Sequence, residues 1–245
     1  MDAVSGVTGL RPEHGPAFAV IGVFDGLHLG HAYLLDHLVR EARARSAQPM
    51  VITFDHHPDE VITGSAPPLL IDPAERLERL ADAGVAVTVV QHFDDAVRHT
   101  TYDAFVRAIA DRAGLAGLLM TPDAAFGFER RGTPDALRVL GAEDGFDVVV
   151  VEPFTLDGRP VRSGEIRNAI AAGDLASAAA LLGRPVTLRG RLADGTMRLE
   201  QPHALPPVGD YPATIDGVTV TLSVGADGLR VTPAVADGPI ELRLT

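Results

Sequence analysis

From residue 18 to about residue 182, short unbroken apolar runs alternate with stretches whose apolar positions recur every three or four residues. The unbroken runs predict strands over 18–24, 50–54, 85–91, 115–120 and 147–151. The longer period predicts helices over 31–46, 73–83, 102–112 and 133–143. Helix starts are written locally: Asp72-Pro73-Ala74-Glu75 offers an N-cap, a proline at the first position and an acid at the third, and Thr133-Pro134-Asp135 repeats the device. Continuous apolar strands separated by helices imply a parallel sheet covered on both faces, an α/β doubly wound fold. Residues 163–182 read as two short helices broken at Gly173-Asp174. After Gly183-Arg184-Pro185 the pattern changes to alternating Val, Thr and Leu, with turns at Asp194-Gly195, Asp216-Gly217 and Asp227-Gly228. That change predicts a small antiparallel β module. The expected organisation is a flexible segment over 1–17, an α/β domain over 18–185 and the β module over 186–245.

In a doubly wound sheet, ligands bind beyond the carboxyl ends of the strands, and four polar, Gly- or Pro-punctuated segments fall there. The first is Phe24-Asp25-Gly26-Leu27-His28-Leu29-Gly30-His31. Its two histidines stand where a helix begins, and a helix N-terminus presents free N–H groups and partial positive charge to phosphate. The pattern suits a nucleoside triphosphate site without a P-loop. The second is Thr53-Phe54-Asp55-His56-His57-Pro58. Asp55-His56-His57 with Asp59 has the donor types of a divalent metal site, but the sequence supplies no well-spaced third ligand, and no protein-only metal site is expected. In the third, TPDAAFGFERRG over 121–132, Phe126 and Phe128 suit either core packing or an aromatic platform. Arg130-Arg131 suits a solvated pair. In the fourth, Arg162 and Arg167 crowd a helix start that disfavours cations, which an anion between them would relieve.

Composition removes whole classes of chemistry. There is no cysteine, so disulfides, thiolate nucleophiles and Cys-ligated zinc are excluded. There is also no lysine: all 21 basic residues are Arg. A P-loop lysine or a Schiff base is therefore impossible, and phosphate must be held by Arg, His, backbone amides or a metal. A net charge of −12 argues against nucleic acid or an anionic membrane as partner. No apolar run approaches the roughly 18 residues of a membrane span, and the N-terminus lacks the pattern of a secretion signal. A cytoplasmic location is expected.

Several of these segments resemble one family in the correct order. GVFDGLHLGH over 22–31 is similar to the HxGH signature of nucleotidyltransferases as it occurs in bacterial bifunctional riboflavin kinase/FAD synthetases. TFDHHP over 53–58 resembles TFxPHP, FGFERRG over 126–132 resembles FGxxRxG, and RSGEIR over 162–167 resembles SSTxIR, with a closing Gly183-Arg184-Pro185. The resemblance implies AMP transfer from MgATP to FMN, giving FAD and pyrophosphate. It implies catalytic roles for His28, His31 and Arg167. Gly22, Phe24, Asp25, Gly26, Gly30, Arg162 and Ser163 would hold the nucleotide, and His57, Pro58, Asp123, Phe126 and Gly127 would face the flavin. Mg²⁺ would bridge ATP phosphates.

The departures are specific. Two hydroxyls of SSTxIR are missing and Arg162 is gained, His56 replaces the proline of TFxPHP, and Asp123-Ala124-Ala125-Phe126-Gly127 lacks the aromatic and basic residues of DFRFG. The β module resembles the riboflavin kinase barrel at LPPVGDY (205–211) and IELRLT (240–245). It lacks the GFPTAN motif, the only Asn in the chain being Asn168. A truncated barrel without kinase activity is expected. A different phosphorylated acceptor, or a non-catalytic nucleotide- or flavin-binding regulator, stand as the other readings.

Overall fold

In order, the elements of the computed structural model, which describes residues 1–244, are β1 (Asp2–Ser5), β2 (Ala17–Ile21), α1 (Leu29–Ala44), β3 (Gln48–Phe54), α2 (Pro58–Thr63), α3 (Pro73–Asp82), β4 (Val87–Gln91), α4 (Asp95–Arg98), α5 (Tyr102–Ala113), β5 (Leu115–Met120), α6 (Pro134–Asp144) and β6 (Asp147–Val150). There follow β7 (Thr155–Leu156), β8 (Arg159–Pro160), α7 (Ser163–Ala171), α8 (Leu175–Leu182), β9 (Thr187–Ala193), β10 (Thr196–Arg198), β11 (Gly209–Ile215), β12 (Val218–Gly225), β13 (Gly228–Thr232) and β14 (Gly238–Leu244). Thr245, the end of the IELRLT stretch, lies outside the described residues. Contacts divide the chain into two compact units. One holds Met1–Phe24, His31–Pro67 and Leu77–Phe154; the other holds Asp25–Gly30, Pro68–Arg76 and the chain from Thr155 onward.

The first unit is a six-stranded sheet in the order β1-β4-β3-β2-β5-β6, parallel at every pairing. Ala17, Ala19, Met50, Ile52, Val87, Val89, Leu118 and Met120 form one apolar face, packed with Val106 and Ile109 of α5 and Leu137 of α6. The alternate residues Phe18, Val20, Val51 and Leu119 are equally buried, so both faces are covered, as the unbroken apolar runs required. The strand order reverses at β2, which pairs with β3 on one side and β5 on the other. That reversal is the place where a doubly wound sheet opens a crevice at its carboxyl ends.

The segment expected to be flexible is in part ordered. Asp2–Ser5 extends the sheet as β1, registered Val4 against Val89, and Val4, Val7 and Leu10 are buried in the sheet's core. Three apolar side chains among Gly, Pro and charged residues give too sparse a pattern to announce a strand.

The second unit contains a closed antiparallel barrel in the order β10-β13-β12-β11-β14-β9. Closure comes from β14 against β9, which sets Leu242 opposite Leu188. The described barrel therefore has no open edge: the strands present close on one another although the module lacks the kinase motif. Ile166 and Ile170 of α7 and Ala178 and Leu182 of α8 share one core with Leu188, Leu222 and Leu242 of the barrel. The contact division thus groups α7 and α8 with the barrel rather than with the sheet, away from the boundary expected near 185. Among the described residues, no helix is long and apolar enough to cross a membrane.

Candidate functional site

The Gly-rich turn after β2 begins earlier than the apolar run suggests. Strand geometry ends at Ile21, and Phe24 and Leu27 take φ of +54° and +38° beside Gly26 at +85°. A side chain in this left-handed region costs about 1–3 kcal/mol and persists only where the surroundings impose it. In the second unit those surroundings are explicit. Asp25, 3% exposed, accepts the Leu70 N–H at 2.9 Å and pairs through its other oxygen with Nη2 of Arg167. Arg184 donates to the carbonyls of Gly26 at 2.7 Å and Leu27 at 3.3 Å. Ser163, opening α7, donates its hydroxyl to the Asp25 carbonyl at 2.9 Å.

These contacts place two guanidiniums near His28, which is 4% exposed. Burial, then the charges of Arg184 and Arg167, lower its pKa from 6.5 to about 4. His28 is therefore a neutral donor at physiological pH, and the positive charge of this turn belongs to arginines. Gly30 is closely packed: a Cβ there would lie 3.0 Å from the Val161 carbonyl and 3.1 Å from Nδ1 of His28, so either neighbour would have to give way. Arg167 also donates from Nε to the Pro68 carbonyl at 2.8 Å, so its guanidinium is held in one orientation. Arg167 thus has an anionic partner within the chain itself, Asp25. Arg162 is exposed at the N-cap of α7 and makes no side-chain cap bond there.

Arg184 is the residue that sequence reasoning missed. It sits in the Gly183-Arg184-Pro185 stretch, which read only as an end marker. It is balanced by Glu75, 1% exposed, at 3.9 Å. Arg189 approaches the same carboxylate at 3.8 Å, and Thr187 Oγ1 lies 3.3 Å from both of its oxygens.

The first unit holds a cavity of about 700 Å³ at the carboxyl ends of β2, β3 and β5. Its walls are aromatic: Phe54, Phe93, Phe105, Phe126 and Phe128 line it. Phe54 and Phe93 meet edge-on with centroids 5.3 Å apart, and Phe105 and Phe126 at 6.2 Å. Such edge-to-face pairs fix ring orientation. The loop carrying Phe126 and Phe128 is seated by glycine. Gly127 has φ of +75°, and a Cβ there would lie 2.5 Å from the Tyr102 backbone N. Gly132 bridges back to Phe126.

Of the residues expected on the flavin side, His57, Pro58, Phe126 and Gly127 line this cavity, together with Gly22 from the nucleotide set. Asp123 does not: it is exposed, accepts the Thr121 hydroxyl at 2.9 Å, and is outside the lining. His57 also caps α2, accepting the Asp59 N–H at 3.2 Å. Also in the first unit, the His31 ring lies 5.0 Å from the buried Phe24 ring. Asp25, Gly26, His28, Gly30, Ser163 and Arg167 belong to the second unit.

A separate cluster follows β3 and β4. The parallel register pairs Phe54 with Gln91, which brings the next residues, Asp55 and His92, side by side. His92 Nδ1 lies 2.6 Å from one Asp55 oxygen, and His56 Nδ1 lies 2.8 Å from the other. The hydrogen bond to Asp55 and its charge raise the pKa of exposed His92. Burial pushes Asp55 up, but hydrogen bonds from His92 and the Phe93 N–H, with both imidazole charges, outweigh it and hold the carboxyl below its ordinary value.

Residues 10–165 match the family described as FAD synthetase. The chain is 32% identical to a Pseudomonas fluorescens protein described as bifunctional riboflavin kinase/FMN adenylyltransferase, over 100% of this chain and 82% of that one. It is 31% identical to the protein of the same description from Escherichia coli K12, over 97% of this chain and 77% of that one. A solved structure from Streptococcus pneumoniae, described as a macrolide-efflux protein, matches with a TM-score of 0.84 at 22% identity, covering 100% of this chain and 98% of that one. That last likeness is one of fold.

Proposed function

The chain belongs to the FAD synthetase family, and from that premise we propose that it transfers the adenylyl group of MgATP to FMN, giving FAD and pyrophosphate. An oxygen of the FMN phosphate attacks the α-phosphorus of ATP. A new P–O bond forms as the bond from the α-phosphorus to the bridging oxygen breaks, and that oxygen leaves with pyrophosphate. Two anions must meet, so the protein's task is to position them and offset charge. Mg²⁺ enters as part of the ATP substrate.

The observation that carries this reading is the turn around His28. A buried, neutral imidazole lies near Arg167, whose orientation is fixed by Asp25 and the Pro68 carbonyl. In this reading His28 donates an N–H to a phosphoryl oxygen, and Arg167 and Arg184 supply the charge. Ser163, Arg162 and the backbone around Gly26 and Gly30 complete the triphosphate seat, and His31 is the second histidine of the HxGH pattern. The aromatic cavity supports the acceptor end: Phe54, Phe93, Phe126 and Phe128 offer faces and edges to a planar ring system, with His57 and Pro58 beside them.

The barrel, in this reading, does not phosphorylate riboflavin, because the chain lacks the GFPTAN motif and holds its only Asn before the barrel. Soluble nucleotide substrates and a net charge of −12 fit a cytoplasmic enzyme with no nucleic-acid partner. The test is pyrophosphate release from MgATP across a panel of acceptors. Release with FMN but not with riboflavin or other phosphorylated acceptors is expected. Release with another phosphorylated acceptor and none with FMN would move the assignment of the acceptor. Formation of FMN from riboflavin would overturn the statement about the barrel.

A further inference from the structure

We infer that Asp55, His56 and His92 form a binding site for a divalent transition-metal ion of the zinc class, independent of the nucleotide reaction. One ligand atom from each residue lies within 4.8 Å of the others, close enough to share one ion. The donor and acceptor roles of the His56 ring are fixed by its neighbours. Its Nε2 lies 2.9 Å from the Phe93 carbonyl, which can only accept, so Nε2 carries a proton. In the neutral ring, Nδ1 then presents a lone pair, and it faces an Asp55 carboxylate oxygen at 2.8 Å. Two lone pairs at that distance repel unless something positive lies with them. The second Asp55 oxygen lies 2.6 Å from Nδ1 of His92, which brings a second imidazole nitrogen to the same carboxylate.

A histidine whose far nitrogen donates to a backbone carbonyl is the usual outer support of a metal-ligating imidazole, because it fixes the tautomer with the ligating nitrogen bare. Asp55 is itself fixed, accepting the N–H groups of His56 at 2.9 Å and Phe93 at 3.3 Å. Two imidazole nitrogens and one carboxylate favour zinc, nickel, copper or cobalt over magnesium or calcium, which prefer all-oxygen sets. Three protein ligands leave a coordination position for water or an anion, and His92 is exposed. The site is particular to this chain in one respect: His56 stands where the TFxPHP pattern it resembles has proline.

The alternative is that the rings are simply protonated and paired with Asp55, and the two cases separate by direct metal binding. The full chain is dialysed against zinc chloride, and bound zinc is measured for the native sequence, His92→Ala, His56→Pro and the control His99→Ala. His99 belongs to another exposed His–Asp pair. One equivalent of zinc is expected for the native protein and for His99→Ala. At least about tenfold weaker binding is expected for His92→Ala and His56→Pro, with unchanged circular dichroism in the absence of metal. Cobalt(II) should give the visible bands of a nitrogen-containing low-coordinate site in the native protein and lose them in His92→Ala. Equal zinc binding by His92→Ala and the native chain, or none by either, overturns the proposal. Because metal is measured without ATP or FMN, either result leaves the assignment of adenylyl transfer untouched.

Discussion

Burial together with Arg184 and Arg167 makes the His28 ring a neutral hydrogen-bond donor at physiological pH, with its pKa at about 4, and this has a consequence for stability. In the unfolded chain the same ring titrates at its ordinary 6.5, so between these values the unfolded state binds more protons than the folded one. The contribution to stability is fully present above pH 6.5 and is lost as pH falls toward 4. The span corresponds to on the order of 3 kcal/mol. His28→Gln removes the titration while keeping a donor. Urea unfolding of both proteins from pH 7 to pH 4 should show the native chain losing more stability by roughly that amount; parallel losses would contradict the burial of a neutral His28. At this scale the sequence announced His28, Arg167 and the glycines, because a Gly-flanked histidine pair and a conspicuous arginine are local signals. Arg184 was not legible: its role depends on reaching the carbonyls of Gly26 and Leu27, some 157 positions away.

At the scale of elements, the loop between β5 and α6 forms one wall of the aromatic cavity and depends on glycine. Gly127→Ala would place a Cβ 2.5 Å from the Tyr102 backbone in a left-handed conformation, whereas Gly145→Ala at φ of +83° meets nothing within 4 Å. The second change isolates the backbone cost of about 1–2 kcal/mol, so Gly127→Ala should destabilise by more than Gly145→Ala and raise KM for FMN. Equal melting temperatures and equal KM values would remove the loop's role. Periodicity recovered the five long strands, whose unbroken apolar runs survive into the sheet with ends displaced by a few residues. It carried β2 on to Phe24, because side-chain pattern says nothing of a φ of +54°. It missed the β7–β8 hairpin at Asp157-Gly158, whose two-residue strands are too short for any pattern. His92 escaped because its meeting with Asp55 is a matter of register between β3 and β4, not of spacing along one strand.

For the whole molecule, the barrel's consequence lies in the core it shares with α7 and α8, where Ile166 and Ile170 pack with Leu188 and Leu242. A chain ending at residue 185 would expose that core and loosen the helix that carries Arg167. It should lose adenylyl transfer and melt less cooperatively than the full protein. Native turnover by the 1–185 fragment would contradict a supporting role for the barrel. The closed barrel itself was beyond local pattern, since β14 meets β9 across the whole module, Leu242 opposite Leu188. The central claim is that this chain moves the adenylyl group of ATP onto FMN. The most direct test is incubation with FMN and ATP labelled at its α-phosphate, following the label by chromatography. The label is expected in FAD, with unlabelled pyrophosphate released, and His28→Ala should slow this by roughly a hundredfold or more. Label that never enters FAD, with no detectable binding of FMN, would contradict the account.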